Sequence, residues 1–199
     1  MASMNLFAHL KQVRSLLGKL RNRPPHGMKT GVNVRIQRPH RIVAAGCITI
    51  GDRTTIREGA LIVPILESAG VRYQPQITIG DDVYIGPNLY MVALSRITIG
   101  DGCVLSESVF LNDNNHGLDP EAGLIMQQEL VHGGDIRIGN HCFLGLRSAI
   151  MAGVTLGDYC VVGINSVVTK SFPAYSMIAG APAQLVRVYS PEQRAWIKP

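Results

Sequence analysis

Residues 1–51 contain no acidic side chain at all; the first carboxylate is Asp52. Nine Lys or Arg fall in that same stretch, while the other 148 residues hold ten basic and fourteen acidic groups, a net of −4. The formal charge of +5 therefore describes a basic arm on a mildly acidic body. Long apolar runs are missing too. The longest, Ala60–Leu66, has seven residues, against roughly 18 for a membrane-spanning helix. Near the N-terminus no apolar stretch leads to a small-residue cleavage site, so secretion is not expected. The four cysteines, Cys47, Cys103, Cys142 and Cys160, include no C-x-x-C pair. That argues against a zinc cage or a disulfide frame and for small buried thiols in a reducing cytoplasm. With 46% hydrophobic and only 17% charged residues, disorder is excluded. The basic arm has neither interleaved aromatics nor a known motif, so nucleic acid is not an expected partner.

What is present is a period. Ile138, Leu144, Ile150, Leu156, Val162 and Val168 fall six residues apart without a slip. Earlier segments keep the same step at Ile50, Ile56 and Ile62, at Ile79, Ile85, Met91 and Ile97, and at Ile99, Leu105 and Leu111. The phrase I-x-I-G-[DN] recurs at 48–52, 77–81, 97–101 and 136–140. Every sixth residue of an α-helix drifts around the axis, so this period is not helical. Short strands joined by regular corners keep it. If three hexapeptides make one coil, Ile138 stacks against Leu156, Leu144 against Val162 and Ile150 against Val168. Glycines at 51, 80, 86, 100, 139, 145, 157 and 163 suit corners of positive φ or close backbone approach. Two stretches break the period: 63–76, and 112–135, which carries N-D-N-N-H-G-L-D-P-E-A-G. Long excursions from a rigid scaffold tend to carry function.

The repeat resembles that of the hexapeptide-repeat acyltransferases over roughly residues 42–188. The resemblance implies an all-β fold, a left-handed parallel β-helix of about five coils; the hand comes from the family and not from the spacing. The expected organisation is a basic helix and linker over 1–41, the β-helix over 42–173 with its two insertions, and an extended tail over 174–199. Leu6, Leu10, Val13, Leu17 and Leu20 predict an amphipathic helix over 5–22, ended by Pro24-Pro25. It either caps the β-helix or lays its positive face on anionic lipid. Ser190-Pro191-Glu192 predicts the start of a short terminal helix.

Within the long insertion, N-H-G-L-D at 115–119 resembles the N-H-x-x-D loop of the sugar O-acetyltransferase branch, which includes maltose, galactoside and polysaccharide-modifying enzymes. There the histidine is the general base, which gives His116 that role. Histidine suits it because its ordinary pKa lies near operating pH. Asn115 and Asp119 match the ends of the loop and are candidates to orient the ring. Asn112 and Asn88 are candidates for contacting the acceptor. Asx-rich stretches also form turns through their own side chains, which is the plain reading of the remaining ones.

The run 138–187 resembles the family's donor half, which implies acetyl-CoA as co-substrate and no metal. Phe143, Leu146, Ile164, Ser166, Thr169, Lys170 and Arg187 would border it, with Lys170 and Arg187 meeting its phosphates. Ser166 also holds a small inward repeat position. Three departures stand out: Phe143 where Trp is common, Leu146 where a small or polar residue is usual, and Gln184 in place of a basic residue. The family also implies a homotrimer, with active sites between copies, and a small-molecule or glycan acceptor. The alternatives are a γ-type carbonic anhydrase using His116, His132 and His141, a non-enzymatic β-helix scaffold, and transfer to an amine or antibiotic.

Overall fold

The inward aliphatic at every sixth residue turns the chain into three flat faces. The computed structural model describes residues 24–199 as a left-handed parallel β-helix. The helix expected over 5–22 lies outside the described residues. One face stacks strands Lys29–Thr30, Ile48–Ile50, Gln76–Ile79, Arg96–Ile99, Ile136–Ile138 and Thr155–Leu156. The second stacks Arg35–Ile36, Thr55–Ile56, Tyr84–Ile85, Val104–Leu105, Phe143–Leu144 and Val161–Val162. The third stacks Arg41–Ile42, Leu61–Pro64, Tyr90–Ala93, Phe110–Asn112, Ala149–Ile150 and Val167–Val168. Register follows the period: Ile138 pairs with Leu156, Leu144 with Val162 and Ile150 with Val168. All six side chains are at most 2% exposed, and burying such a side chain is worth about 1.5–3 kcal/mol. Among the described residues the rungs number six, where about five coils were expected. The first runs through Thr30, Ile36 and Ile42, and its threonine hides it from an apolar count that starts later.

The corners separate two roles that the sequence merged. The glycines after each inward aliphatic do not have positive φ; they sit where the next coil leaves no room. A Cβ on Gly139 would lie 2.5 Å from Asp158 Oδ1 and 2.7 Å from its backbone nitrogen. The left-handed residues come two positions later, as at Arg53, Asp82, His141 and Tyr159. Between them stands the Asx of I-G-[DN], whose side chain reaches back one coil. Asp81 accepts from the Asp52 N–H at 2.7 Å, Asp101 from Asp81 at 2.8 Å, Asn140 from Asp101 at 2.9 Å and Asp158 from Asn140 at 2.7 Å. On the inside of the same edge Cys103, Cys142 and Cys160 are buried, each Sγ donating to a carbonyl of a neighbouring coil.

The end of the chain differs from its sequence expectation. Ser176–Gly180 adds to the second face in parallel, and Ala183–Ser190 and Ala195–Ile197 continue that sheet antiparallel. Ser190 Oγ does accept the Gln193 N–H at 3.2 Å, as an N-cap would. No helix follows: Arg194 turns left-handed at φ 48° and Ala195-Trp196-Ile197 returns as a strand. His141, Tyr159, Tyr175 and Tyr189 stack along this edge with centroids 4.9–5.9 Å apart, and Trp196 meets Tyr189 edge-on. Among the described residues no helix is long and apolar enough to cross a membrane.

Candidate active site

Both excursions leave the third face, after Leu61–Pro64 and after Phe110–Asn112, and they frame the strand between them. The first forms a two-residue hairpin, Glu67–Ser68 against Val71–Arg72, with Ala69 and Gly70 both at positive φ. The second is a longer arm in which Asn114–His116 pairs antiparallel with Leu130–His132. Between them lies a cavity of about 410 Å³. Its walls are Val63, Ile65, Glu67 and Ser68 from the first excursion and its strand, Tyr90 and Val92 from the next rung, and Asn112, Asn114, Asn115, His116 and Leu130 from the arm.

The base of the arm is rigid for a reason written in its Asx residues. Asp113 is fully buried, and its carboxylate accepts the N–H of Leu94 at 2.7 Å and of Ser95 at 2.9 Å. Its own carbonyl takes the Gly133 N–H at 3.0 Å, clamping the two strands of the arm together. Asn112 is spent locally: Nδ2 donates to the Asn114 carbonyl at 2.8 Å, and Oδ1 accepts from Asn114 Nδ2 at 2.7 Å. These contacts fix the backbone from which Asn115 and His116 project, both exposed. Among the described residues the His116 imidazole has no hydrogen-bond partner, and His116 lines the cavity.

The sequence-predicted residues divide accordingly. His116, Asn115 and Asn112 come together in the cavity. Asp119 does not: its carboxylate accepts the Glu121 N–H at 2.8 Å, an Asx turn, while its backbone is held by Gln128. Asn88 is not in the cavity wall either; it turns an outer corner at φ 60°, packed over Gly59. On the donor side, Leu146 and Ile164 stack on adjacent rungs of the edge between the second and third faces, Asn165 N–H donating to the Leu146 carbonyl at 2.8 Å. Ile164 is 66% and Phe143 42% exposed, which makes this edge an apolar ridge. Thr169 and Lys170 lie exposed past the last third-face strand, and Arg187 is exposed on Ala183–Ser190. Lys170 Nζ donates to Gln184 at 3.0 Å, so the residue standing where a basic one is usual becomes a partner of this cation. Arg187 donates to the Trp196 carbonyl at 3.1 Å. Ser166 is fully buried, and its Oγ accepts the Gly180 N–H at 3.1 Å, so its hydroxyl holds the last turn.

Sequence reasoning missed Glu67, Ser68 and Tyr90. Tyr90 is 42% exposed and tilts against Phe110 with centroids 5.3 Å apart. Its one signal was an aromatic at an outward repeat position, on the strand bracketed by both excursions. The histidines that a zinc reading would need do not converge within the chain. His132 Nε2 lies 3.5 Å from Asp135, and His141 stacks on Tyr159 at the opposite edge.

A family model described as the hexapeptide repeat of succinyl-transferase matches residues 76–112 and 135–170. The lipopolysaccharide biosynthesis O-acetyl transferase WbbJ of Escherichia coli, a putative assignment in its own name, is 30% identical over 61% of this chain and 65% of its own length. Galactoside O-acetyltransferase of Escherichia coli is 32% identical over 67% of this chain and 63% of its own. The chain thus spans about two thirds or less of the curated relatives it matches. Among solved structures, a point mutant of AntD, an N-acyltransferase from Bacillus cereus, in complex with dTDP and coenzyme A, superposes with a TM-score of 0.70. It is 19% identical, over 84% of this chain and 88% of that one, which shows the shared fold.

Proposed function

We propose that the chain is a hexapeptide-repeat acyltransferase that transfers acetyl from acetyl-CoA to a sugar hydroxyl, with His116 as general base. The acceptor belongs to surface polysaccharide or lipid-linked glycan assembly, as the names of the curated relatives suggest. One observation carries the reading: His116 stands on a clamped arm at the wall of a cavity, beside polar groups and an aromatic ring.

In this mechanism His116 removes the hydroxyl proton as the oxygen attacks the thioester carbonyl. A backbone N–H stabilises the tetrahedral oxyanion. The C–S bond then breaks, the imidazolium returns its proton to the departing thiolate, and ester and free CoA result. No cysteine lines the cavity, so the acetyl group passes directly and not through an enzyme thioester. The donor lies along the ridge of Phe143, Leu146 and Ile164, with Thr169 beside it and Lys170 and Arg187 toward its phosphates. That ridge and the His116 cavity belong to different parts of one chain, and a homotrimer would set the ridge of one copy against the cavity of the next. The protein acts in the cytoplasm.

The test is thermal unfolding with and without acetyl-CoA, for the wild type and for His116→Ala. At about 100 times its dissociation constant the ligand stabilises by about 2.7 kcal/mol. Upward shifts in both proteins support the donor site and free His116 for a role in chemistry. No shift in either at millimolar acetyl-CoA would refute the acetyl-transfer reading.

A further inference from the structure

The 67–72 hairpin contributes Glu67 and Ser68 to the cavity that His116 lines. Among the described residues lining the cavity, Glu67 is the one carboxylate, and no Lys or Arg joins it. The hairpin register sets Arg72 beside Glu67 in an exposed ion pair, Nε 3.6 Å from the carboxylate, and Arg72 is not part of the wall. The contrast with a second cavity is one of sign. On the first face a space of about 400 Å³ is lined by Lys29 and Arg96 and by no acid. An anionic ligand would therefore meet favourable charge on the first face and unfavourable charge beside His116.

We propose that Glu67 is a specificity-determining residue, and that the unit acetylated at His116 is an uncharged glycosyl residue carrying no phosphate or carboxylate of its own. This rests on the acetyl-transfer reading above and adds the class of acceptor. A carboxylate only accepts hydrogen bonds, so Glu67 reads the hydroxyls of a sugar ring and repels an anion. Ser68 adds a hydroxyl that both donates and accepts. Tyr90 offers a half-exposed aromatic face to the apolar C–H side of the same ring. Val63, Ile65 and Val92 leave no further charge to receive a phosphate.

The experiment follows CoA-thiol release at saturating acetyl-CoA. The acceptors are the methyl glycosides of glucose, galactose, mannose and N-acetylglucosamine, each set against the 6-phosphate of the same sugar. The proteins are the wild type, Glu67→Gln and Glu67→Lys, each first checked to unfold at the wild-type temperature and to be stabilised by acetyl-CoA. The wild type turns over at least one neutral glycoside with kcat/KM about tenfold or more above its phosphate. Glu67→Gln narrows that ratio to within about threefold, chiefly through KM, and Glu67→Lys brings the phosphate level with or above the neutral sugar. A phosphorylated acceptor preferred by the wild type overturns the proposal, as does a ratio unmoved by Glu67→Gln. Absence of turnover with every neutral glycoside, in a protein that acetyl-CoA still stabilises, overturns it too. Loss of the acetyl-CoA effect itself would instead count against the acetyl-transfer reading.

Discussion

Replacing Asp113 with alanine tests whether the arm is held from below. The carboxylate is fully buried and accepts from two backbone N–H groups, at 2.7 and 2.9 Å, with Asn114 Nδ2 as a third donor at 3.2 Å. Truncation strands the Leu94 N–H in a buried setting and the Ser95 N–H in a partly buried one. At about 1–3 kcal/mol for each stranded donor, the loss comes to about 2–6 kcal/mol. Asp113→Asn keeps one acceptor oxygen but turns an NH₂ toward the other donor, so its cost falls between wild type and alanine. Asp119→Ala is the control: its exposed carboxylate caps a single N–H at 2.8 Å, and the loss stays below about 1 kcal/mol. Urea unfolding at one fixed protein concentration gives the midpoints, and an unchanged slope shows that the same surface is exposed in each variant. Asp113→Ala also lowers acetyl transfer, because Asp113 is the bend that leads directly into Asn114–His116. The reasoning is refuted if Asp119→Ala costs as much as Asp113→Ala, or if Asp113→Ala unfolds at the wild-type midpoint.

Two further outcomes follow from particular contacts. Native protein titrated with a disulfide reagent exposes one reactive thiol, Cys47, which alone among the four is not buried, and all four after denaturation. The Cys142 thiol is pushed well above its ordinary range by hydrogen bonding with Cys103 and Cys160 and by burial, so it stays protonated and unreactive; rapid native labelling of more than one thiol would contradict the stack. Ser166→Ala removes the acceptor for the Gly180 N–H and costs about 1 kcal/mol of stability. It leaves the acetyl-CoA dissociation constant unchanged, and a clear loss of affinity by calorimetry would restore Ser166 to the donor site.

The coils were legible because the physics that builds them is local. An inward aliphatic must recur wherever the chain turns into the prism, and Ile138 to Val168 declare that period openly. The first rung escaped notice because Thr30 stands in an inward column where apolar residues mark the later coils. The Asx of I-G-[DN] was visible as a letter, yet its work is done one coil away, where Asp81 receives the Asp52 N–H. Ser190 carried a true cap signal, but a cap specifies only a first turn, and the strand-forming Ala195–Ile197 pairing with Val188–Ser190 decided what came next. His116 could be found from its loop. Its opposite wall could not, because Glu67 and Tyr90 reach the cavity through the stacking of rungs and not through nearness in sequence. Asp119 matched the end of the family loop and still closes its own turn, which spacing alone does not reveal.

The central claim is that His116 moves the acceptor's proton. Its most direct test is CoA-thiol release with a glycoside that the wild type acetylates, comparing wild type and His116→Ala at saturating acetyl-CoA, with donor affinity measured in both. The account predicts that kcat falls by about 10²–10⁴-fold while the dissociation constant for acetyl-CoA stays put. An enzyme that keeps its kcat without His116 would contradict it.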